Sequence, residues 1–248
     1  MSIPAGTPTD RDRLYFRQLL AGRDFARDDL LARQMVNFVY LVGDRESGDA
    51  IAVDPAYGVV ELLDILAADG LRLRGVLATH YHADHCGGDI MGYSIQGLRE
   101  LLALDGGAVP VHVQRPEAEW VKRSTGLSDS DLTLHDSGDV VSVGQIPITL
   151  MHTPGHTPGS QCFVVDDKLV AGDTLFLDGC GRTDLPGSDP DAMYESLTQR
   201  LSKVPDSTVL YPGHLYSAEP HATMGETRAR NYVFRIRDLD HWRAFMGG

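Results

Sequence analysis

A chain of 248 residues with 42% hydrophobic and 23% charged side chains has the size and balance of a single globular domain, 1–248; a chain of this length buries roughly three quarters of its unfolded surface. A formal charge of −13 disfavours a nucleic-acid partner, which would demand a basic stripe, and three cysteines (Cys86, Cys162, Cys180) are no disulfide scaffold. The longest apolar runs, such as residues 36–42, are far too short to span a bilayer, and residues 1–10 hold no apolar signal core, so a cytoplasmic protein with no membrane partner is expected.

In chain order, residues 1–30 are charged and read as an N-terminal arm or short helix covering the core. Residues 36–42 form a predicted strand ending in a turn at Gly43-Asp44, and 50–53 a second strand before Asp54-Pro55, the two making a hairpin. Val59, Leu62, Leu63, Ile65 and Leu66 recur at helical spacing over 59–68, and Gly70 closes that helix. A buried strand at 75–79 runs straight into His80. Residues 89–125 read as an inserted helical segment, with helices at 95–104 and 116–123 around a strand at 109–113. Strands follow at 140–143 and 146–152, then a hairpin of 161–165 with 168–171. A helix at 190–201, a last strand at 208–211 and a helical extension over 217–248, with its helix at 228–235, complete the chain. Strands fall in two blocks, each followed by helices, which predicts an α+β, four-layer αββα sandwich of two similar halves.

The chemistry concentrates in Thr79-His80-Tyr81-His82-Ala83-Asp84-His85-Cys86, where three histidines and an aspartate fall within six residues at a strand end. Imidazole and carboxylate suit zinc or iron, and the lack of paired cysteines argues against a purely structural zinc site. Downstream, His152-Thr153-Pro154-Gly155-His156 places His156 in a loop shaped by Pro and Gly. Gly172-Asp173 ends a strand on a carboxylate suited to bridging two cations, and Pro212-Gly213-His214 ends the last strand on a histidine. Each is a weak signal alone; in this order they point to one site.

Together these motifs resemble the metallo-β-lactamase superfamily signature over residues 36–216. The resemblance implies the αββα fold of that type and a site at the sandwich edge. It also implies two divalent metal ions, zinc foremost with iron as the alternative. His80, His82 and His156 would hold the first, Asp84, His85 and His214 the second, and Asp173 would bridge. The stretch 179–184 (Gly-Cys-Gly-Arg-Thr-Asp) is similar to both glyoxalase II-like hydrolases and persulfide dioxygenases. Residues 41–55 lean towards the dioxygenases, and Leu185-Pro186-Gly187 towards small glyoxalase II-type hydrolases.

The first functional expectation is therefore hydrolysis of a hydroxyacylglutathione-type thioester by metal-activated water, with Asp84 orienting the water besides binding metal. Thr79, Thr153 and Asp54 are the candidates for fixing the histidine tautomers. Arg182 could clamp the carboxylate of a glutathione or other thiol conjugate, or simply pair with Asp184. Cys180 could contact sulfur, or be inert packing. The alternative is a persulfide dioxygenase with a single Fe(II) on His80, His156 and Asp173, the other four residues forming an outer shell. A non-catalytic metal or redox module is the third reading. His112, His135, His221 and His241 are taken as surface or structural, and His152 as support or core. Arg228 and Arg230, two apart, cannot share a helical face, so at most one points at the site. Base rates leave a homodimer as an allowed assembly.

Overall fold

The structure, a computed structural model, describes residues 12–106 and 109–246; residues 1–10, expected to lack a signal core, lie outside these. One six-stranded sheet has the order β1-β2-β3-β4-β7-β8: β1 (Leu14–Leu20), β2 (Phe38–Asp44), β3 (Asp49–Val53), β4 (Arg72–Leu77), β7 (Val111–Gln114) and β8 (Leu132–His135). Between β4 and β7 a small hairpin, β5 (Gly88–Ile90) with β6 (Tyr93–Ile95), stands apart. The second six-stranded sheet runs β14-β13-β12-β11-β10-β9: β9 (Val140–Val143), β10 (Ile146–His152), β11 (Gln161–Val165), β12 (Lys168–Gly172), β13 (Val209–Pro212) and β14 (Ala222–Thr223). The helices are α1 (Leu30–Met35), α2 (Val59–Ala68), α3 (Ala83–Cys86), α4 (Leu98–Asp105), α5 (Ala118–Thr125), α6 (Pro190–Glu195), α7 (Met224–Arg230) and α8 (Leu239–Met246).

Side-chain alternation along the strands creates the layers. On β2, Phe38, Tyr40 and Val42 face the second sheet and meet Ile148, Phe163 and Val170, while Val39 and Leu41 face outward beneath Leu62 and Leu66 of α2 and Leu98 and Leu101 of α4. On β11, Phe163 and Val165 point into the inter-sheet core, and Cys162 and Val164 point out towards Met193, Leu197 and Trp242. Strands buried on both faces must be apolar at every position, which is why 36–42 and 161–165 read as unbroken hydrophobic runs. The result is the expected αββα sandwich.

Several expectations need correcting. The N-terminal arm is in part a strand: β1 pairs antiparallel with the whole of β2, from Leu14↔Asp44 to Leu20↔Phe38. Its edge position lets Arg17 and Gln18 remain half-exposed, so the charge that suggested an arm is the polar rim of a sheet. The segment 89–125 is not a separate insertion either. Its middle forms β7, which pairs parallel with β4 and carries β8 beside it, so this stretch completes the first sheet. The hairpin β5–β6 in this stretch and strand β8 beyond it had no sequence counterpart, being built of strands three or four residues long. The expected helix at 228–235 breaks at Asn231, which caps the next turn by accepting from Val233 N and donates to the carbonyls of Phe176 and Gly179. Among the described residues no helix is long and apolar enough to cross a membrane.

Asp44, at the end of β2, ties the two sheets together. Its carboxylate accepts from Arg13 Nε and Nη2 at 2.8 and 2.7 Å, from Glu46 N at 3.0 Å, and from Gln145 N in the β9–β10 turn at 2.8 Å. The Arg13 guanidinium, against the opposing effect of burial, holds its pKa down to about 2. A depressed carboxylate stabilises the fold above its unfolded pKa and loses that contribution as pH falls through the folded one. Asp44→Ala should lower the urea-unfolding free energy by about 1.5–3 kcal/mol at pH 7. The gap to wild type should close as the pH is lowered from about 4 towards about 2.

Candidate metal centre

The C-terminal ends of β4, β10, β12 and β13 lie along one edge of the sandwich, and every sequence-selected ligand sits in the loop that follows one of them. After β4 the backbone stays extended through His82 (φ −61, ψ 146), then turns into α3. The extended part lets His80 and His82 project to the same region; the helical turn sets Asp84 and His85 side by side. His156 follows β10, Asp173 follows β12, and His214 follows β13. Gly213 is required there, because a side chain at that position would run into Asp173 Oδ1.

The structure brings all seven residues together. His80, His82 and His156 form one set and Asp84, His85 and His214 another, each with one ligand atom per residue within 4.8 Å of its fellows. In the first, His82 Nδ1 lies 3.0 Å from His156 Nε2. In the second, His85 Nε2 is 3.2 Å from His214 Nε2, and Asp84 Oδ2 is 3.4 Å from both. Asp173 reaches each set: Oδ2 is 3.7 Å from His156 Nε2 and 3.3 Å from His214 Nε2. Two buried atoms, His80 Nε2 and Asp173 Oδ1, have no hydrogen-bond partner. Buried acceptors that face one another without donors are costly unless a cation satisfies them, so the donor set fits two divalent ions.

The opposite edge is anchored for four of the imidazoles, His80, His85, His156 and His214, which fixes each ring and its tautomer. His85 Nδ1 donates to Asp54 Oδ2 at 2.9 Å, His156 Nδ1 to the Arg182 carbonyl at 2.8 Å, and His214 Nδ1 to the Met35 carbonyl at 2.7 Å. His80 Nδ1 lies 2.9 Å from Thr79 Oγ1, which in turn donates to Asp54 Oδ2 at 2.5 Å. Thr79 and Asp54 are therefore placed as expected. Thr153 is not: its hydroxyl meets Thr174, Cys162 and the Ser160 carbonyl, and no ligand.

Burial drives the pKa of His80, His82 and His156 down, to about 4 for His82, so the first set is neutral and has lone pairs to offer. In the second set burial acts the same way on His85, but the carboxylates of Asp84, Asp173 and Asp54 outweigh it and raise the pKa to about 10. His214 is also raised, burial being outweighed chiefly by Asp173. Asp84 and Asp173 stay ionised, because neighbouring imidazoles overcome their burial. The raised pKa of His85 leaves a proton on that ring for a cation to displace.

The remaining candidates fare differently. Arg182 contributes its backbone carbonyl to His156, while its guanidinium makes a bidentate pair with Asp184 at 2.8 Å in both contacts. Cys180 lines the cleft beside the ligands, and burial pushes its thiol up to about 12, so it is protonated and no nucleophile. Arg228 turns away to Asp206 and the carbonyls of Leu201 and Val204. His152 donates to the Pro158 carbonyl at 2.9 Å and braces the His156 loop.

Two supports had no signal in the sequence, Asn37 and Glu117. Asn37, just before β2, donates to Asp84 Oδ2 at 3.0 Å and is itself held by the Tyr57 hydroxyl at 3.0 Å. Glu117, 1% exposed, accepts from Tyr81 N at 2.8 Å, Thr157 Oγ1 at 2.7 Å and Gly159 N at 2.6 Å. It thereby joins the loop of His80–His85 to the loop of His156. Burial pushes its pKa up to about 7 against the pull of those donors. No local pattern marks these residues, because their partners lie 36–47 positions away.

Two outcomes follow from this geometry. Metal must displace the proton of His85, whose pKa is raised to about 10, so metal affinity should rise with pH between about 6 and 10. The slope should be roughly tenfold per pH unit for each proton displaced; calorimetry in buffers of different ionisation heat would count the protons released. Glu117→Ala should weaken metal binding about 10–100-fold, measured by competition with a chromogenic chelator, although Glu117 is no ligand.

Comparison with known proteins is consistent with this arrangement. The metallo-beta-lactamase superfamily model matches residues 33–214. The mitochondrial persulfide dioxygenase ETHE1 of Homo sapiens is 32% identical over 223 residues, covering 87% of this chain and 80% of that protein. The hydroxyacylglutathione hydrolase of Shewanella halifaxensis is 35% identical over 181 residues, 73% of this chain and 62% of that protein. The crystal structure of ETHE1 from Myxococcus xanthus superposes with a TM-score of 0.67 at 30% identity, covering 86% of this chain and 81% of that one. With its fold, its ordered ligand motifs and a family match spanning most of its length, this chain belongs to the metallo-beta-lactamase superfamily, whose members are metal-dependent enzymes.

Proposed function

We propose that this protein is a thioester hydrolase of the glyoxalase II type working with two divalent metal ions. The observation that carries the reading is the pair of ligand sets joined by Asp173, with both sets aimed by anchored side chains. Ions bound there supply a nucleophilic water at neutral pH and an electrophilic contact for the carbonyl oxygen.

The chain's own residues do the rest. Asp84, held by Asn37 and kept ionised, orients the water and accepts its proton. Asp54 and Thr79 keep the rings of His85 and His80 from turning. A thiolate is a good leaving group and needs no strong general acid. Cys180, protonated in its buried position, supplies no competing nucleophile. A second reading, dioxygenation of a persulfide on a single iron held by His80, His156 and Asp173, is favoured by the similarity to human ETHE1.

Metal analysis after purification without added metal should give close to two ions per chain. Chelation should abolish thioester cleavage and zinc should restore it, without oxygen uptake on glutathione persulfide. Asp84→Asn should lower kcat by about 100-fold or more. About one iron per chain together with oxygen uptake would replace the hydrolase by the dioxygenase.

A further inference from the structure

The ligand cluster opens into a cleft of about 790 Å³, large enough for a substrate well beyond the reacting carbonyl. Each ligand set has an aromatic wall beside it. Tyr216 stacks on His214 with ring centroids 4.6 Å apart and planes at 6°, and Phe176 meets Tyr216 edge-on at 5.0 Å. Beside His82, Tyr81 is backed by Trp120 at 4.9 Å, and its hydroxyl donates to the Pro186 carbonyl, bringing Leu185 and Pro186 into the same lining. From the hairpin β5–β6, Ile90 and Met91 reach the cleft, and Met91, at the tip with φ +50, is 92% exposed. An unbranched apolar side chain left in water at a cleft mouth has no structural duty there; it fits irregular apolar shapes.

The charges point the same way. Apart from the metal ligands, the charged residues of this lining are Asp89, Asp178 and Arg182. Arg182 is engaged with Asp184, so the lining offers two carboxylates and one cation already paired. Arg230, from α7, lines an adjoining cavity among Asp178, Glu219 and Glu226. Arg123 lies over the Trp120 ring at 4.1 Å, behind Tyr81. A glutathione moiety, with two carboxylates and one ammonium, would bring its net negative charge to a wall that is itself acidic.

We infer that the cleft takes thioesters with an apolar, aryl- or alkyl-bearing acyl group on an uncharged thiol, in preference to glutathione conjugates. This rests on the hydrolase reading for the reaction, but the recognition can be measured without turnover. The zinc-loaded protein would be titrated calorimetrically with two matched thioethers, S-benzyl-N-acetylcysteamine and S-benzylglutathione. The neutral ligand should bind at least tenfold more tightly. Met91→Ser should weaken it several-fold, and Asp178→Asn should strengthen only S-benzylglutathione. Equal or tighter binding of S-benzylglutathione, its loss by tenfold or more in Arg182→Ala, or no binding of either ligand would overturn the inference. If the neutral thioether binds but S-phenylacetyl-N-acetylcysteamine is not cleaved, the hydrolase reading falls while the recognition stands.

Discussion

The buried carboxylate of Asp54 is the fixed point on which the metal centre is built. It sits at the end of β3 in a left-handed backbone conformation, φ +52, and accepts three hydrogen bonds: from Thr79 N, from Thr79 Oγ1 and from His85 Nδ1. Those bonds clamp both ends of the loop that carries His80, His82, Asp84 and His85. The negative charge also matters, since it helps raise the basicity of His85 and so strengthens that ring as a donor to a cation. A carboxylate left without these donors would be expensive to bury, so the loop and the carboxylate stabilise each other.

Around this point the two sheets are stitched at the functional edge by bonds that belong to neither ladder. Gln161 N donates to the Thr79 carbonyl and Phe38 N to the Gly213 carbonyl, at 2.9 and 2.8 Å. Glu117 adds a third stitch between the loops after β4 and β10. The ligand loops are therefore set by strands packed on both faces, an arrangement stiff enough to hold like groups in apposition. That apposition is the source of reactivity: buried imidazoles and carboxylates crowd where only a cation, or protons in its place, can balance them.

The cleft beyond the metal ligands follows a different logic. Its walls come from elements remote in sequence: the hairpin β5–β6, the loop around Phe176, the segment 185–186 and Tyr216 after β13. Asn231 pins the loop 176–179 from the far side by bonding the Phe176 and Gly179 carbonyls, so the end of α7 shapes the cleft without entering the chemistry. The lining is thus apolar and acid-edged, and it is built separately from the loops that carry the His and Asp cluster.

The αββα sandwich and the seven residues that converge at its edge were legible in the sequence. Strands buried on two faces cannot hide their composition, and ligands placed immediately after strands keep a readable order and spacing, as His80-x-His82-x-Asp84-His85 does. Tertiary structure alone decided the rest, because the deciding contacts join residues far apart in the chain. That 14–20 is an edge strand depends on pairing with β2, and that 111–114 completes the first sheet depends on pairing with β4. Asn37 and Glu117 support the centre only because folding brings them to Asp84, Tyr81 and Thr157. For Arg182 the sequence left two roles open, a clamp on a substrate carboxylate or a pair with Asp184, and the fold gives its guanidinium to Asp184 and its carbonyl to His156. A residue's type and its neighbours in sequence state what it can bond to; only the fold states which of those partners is within reach.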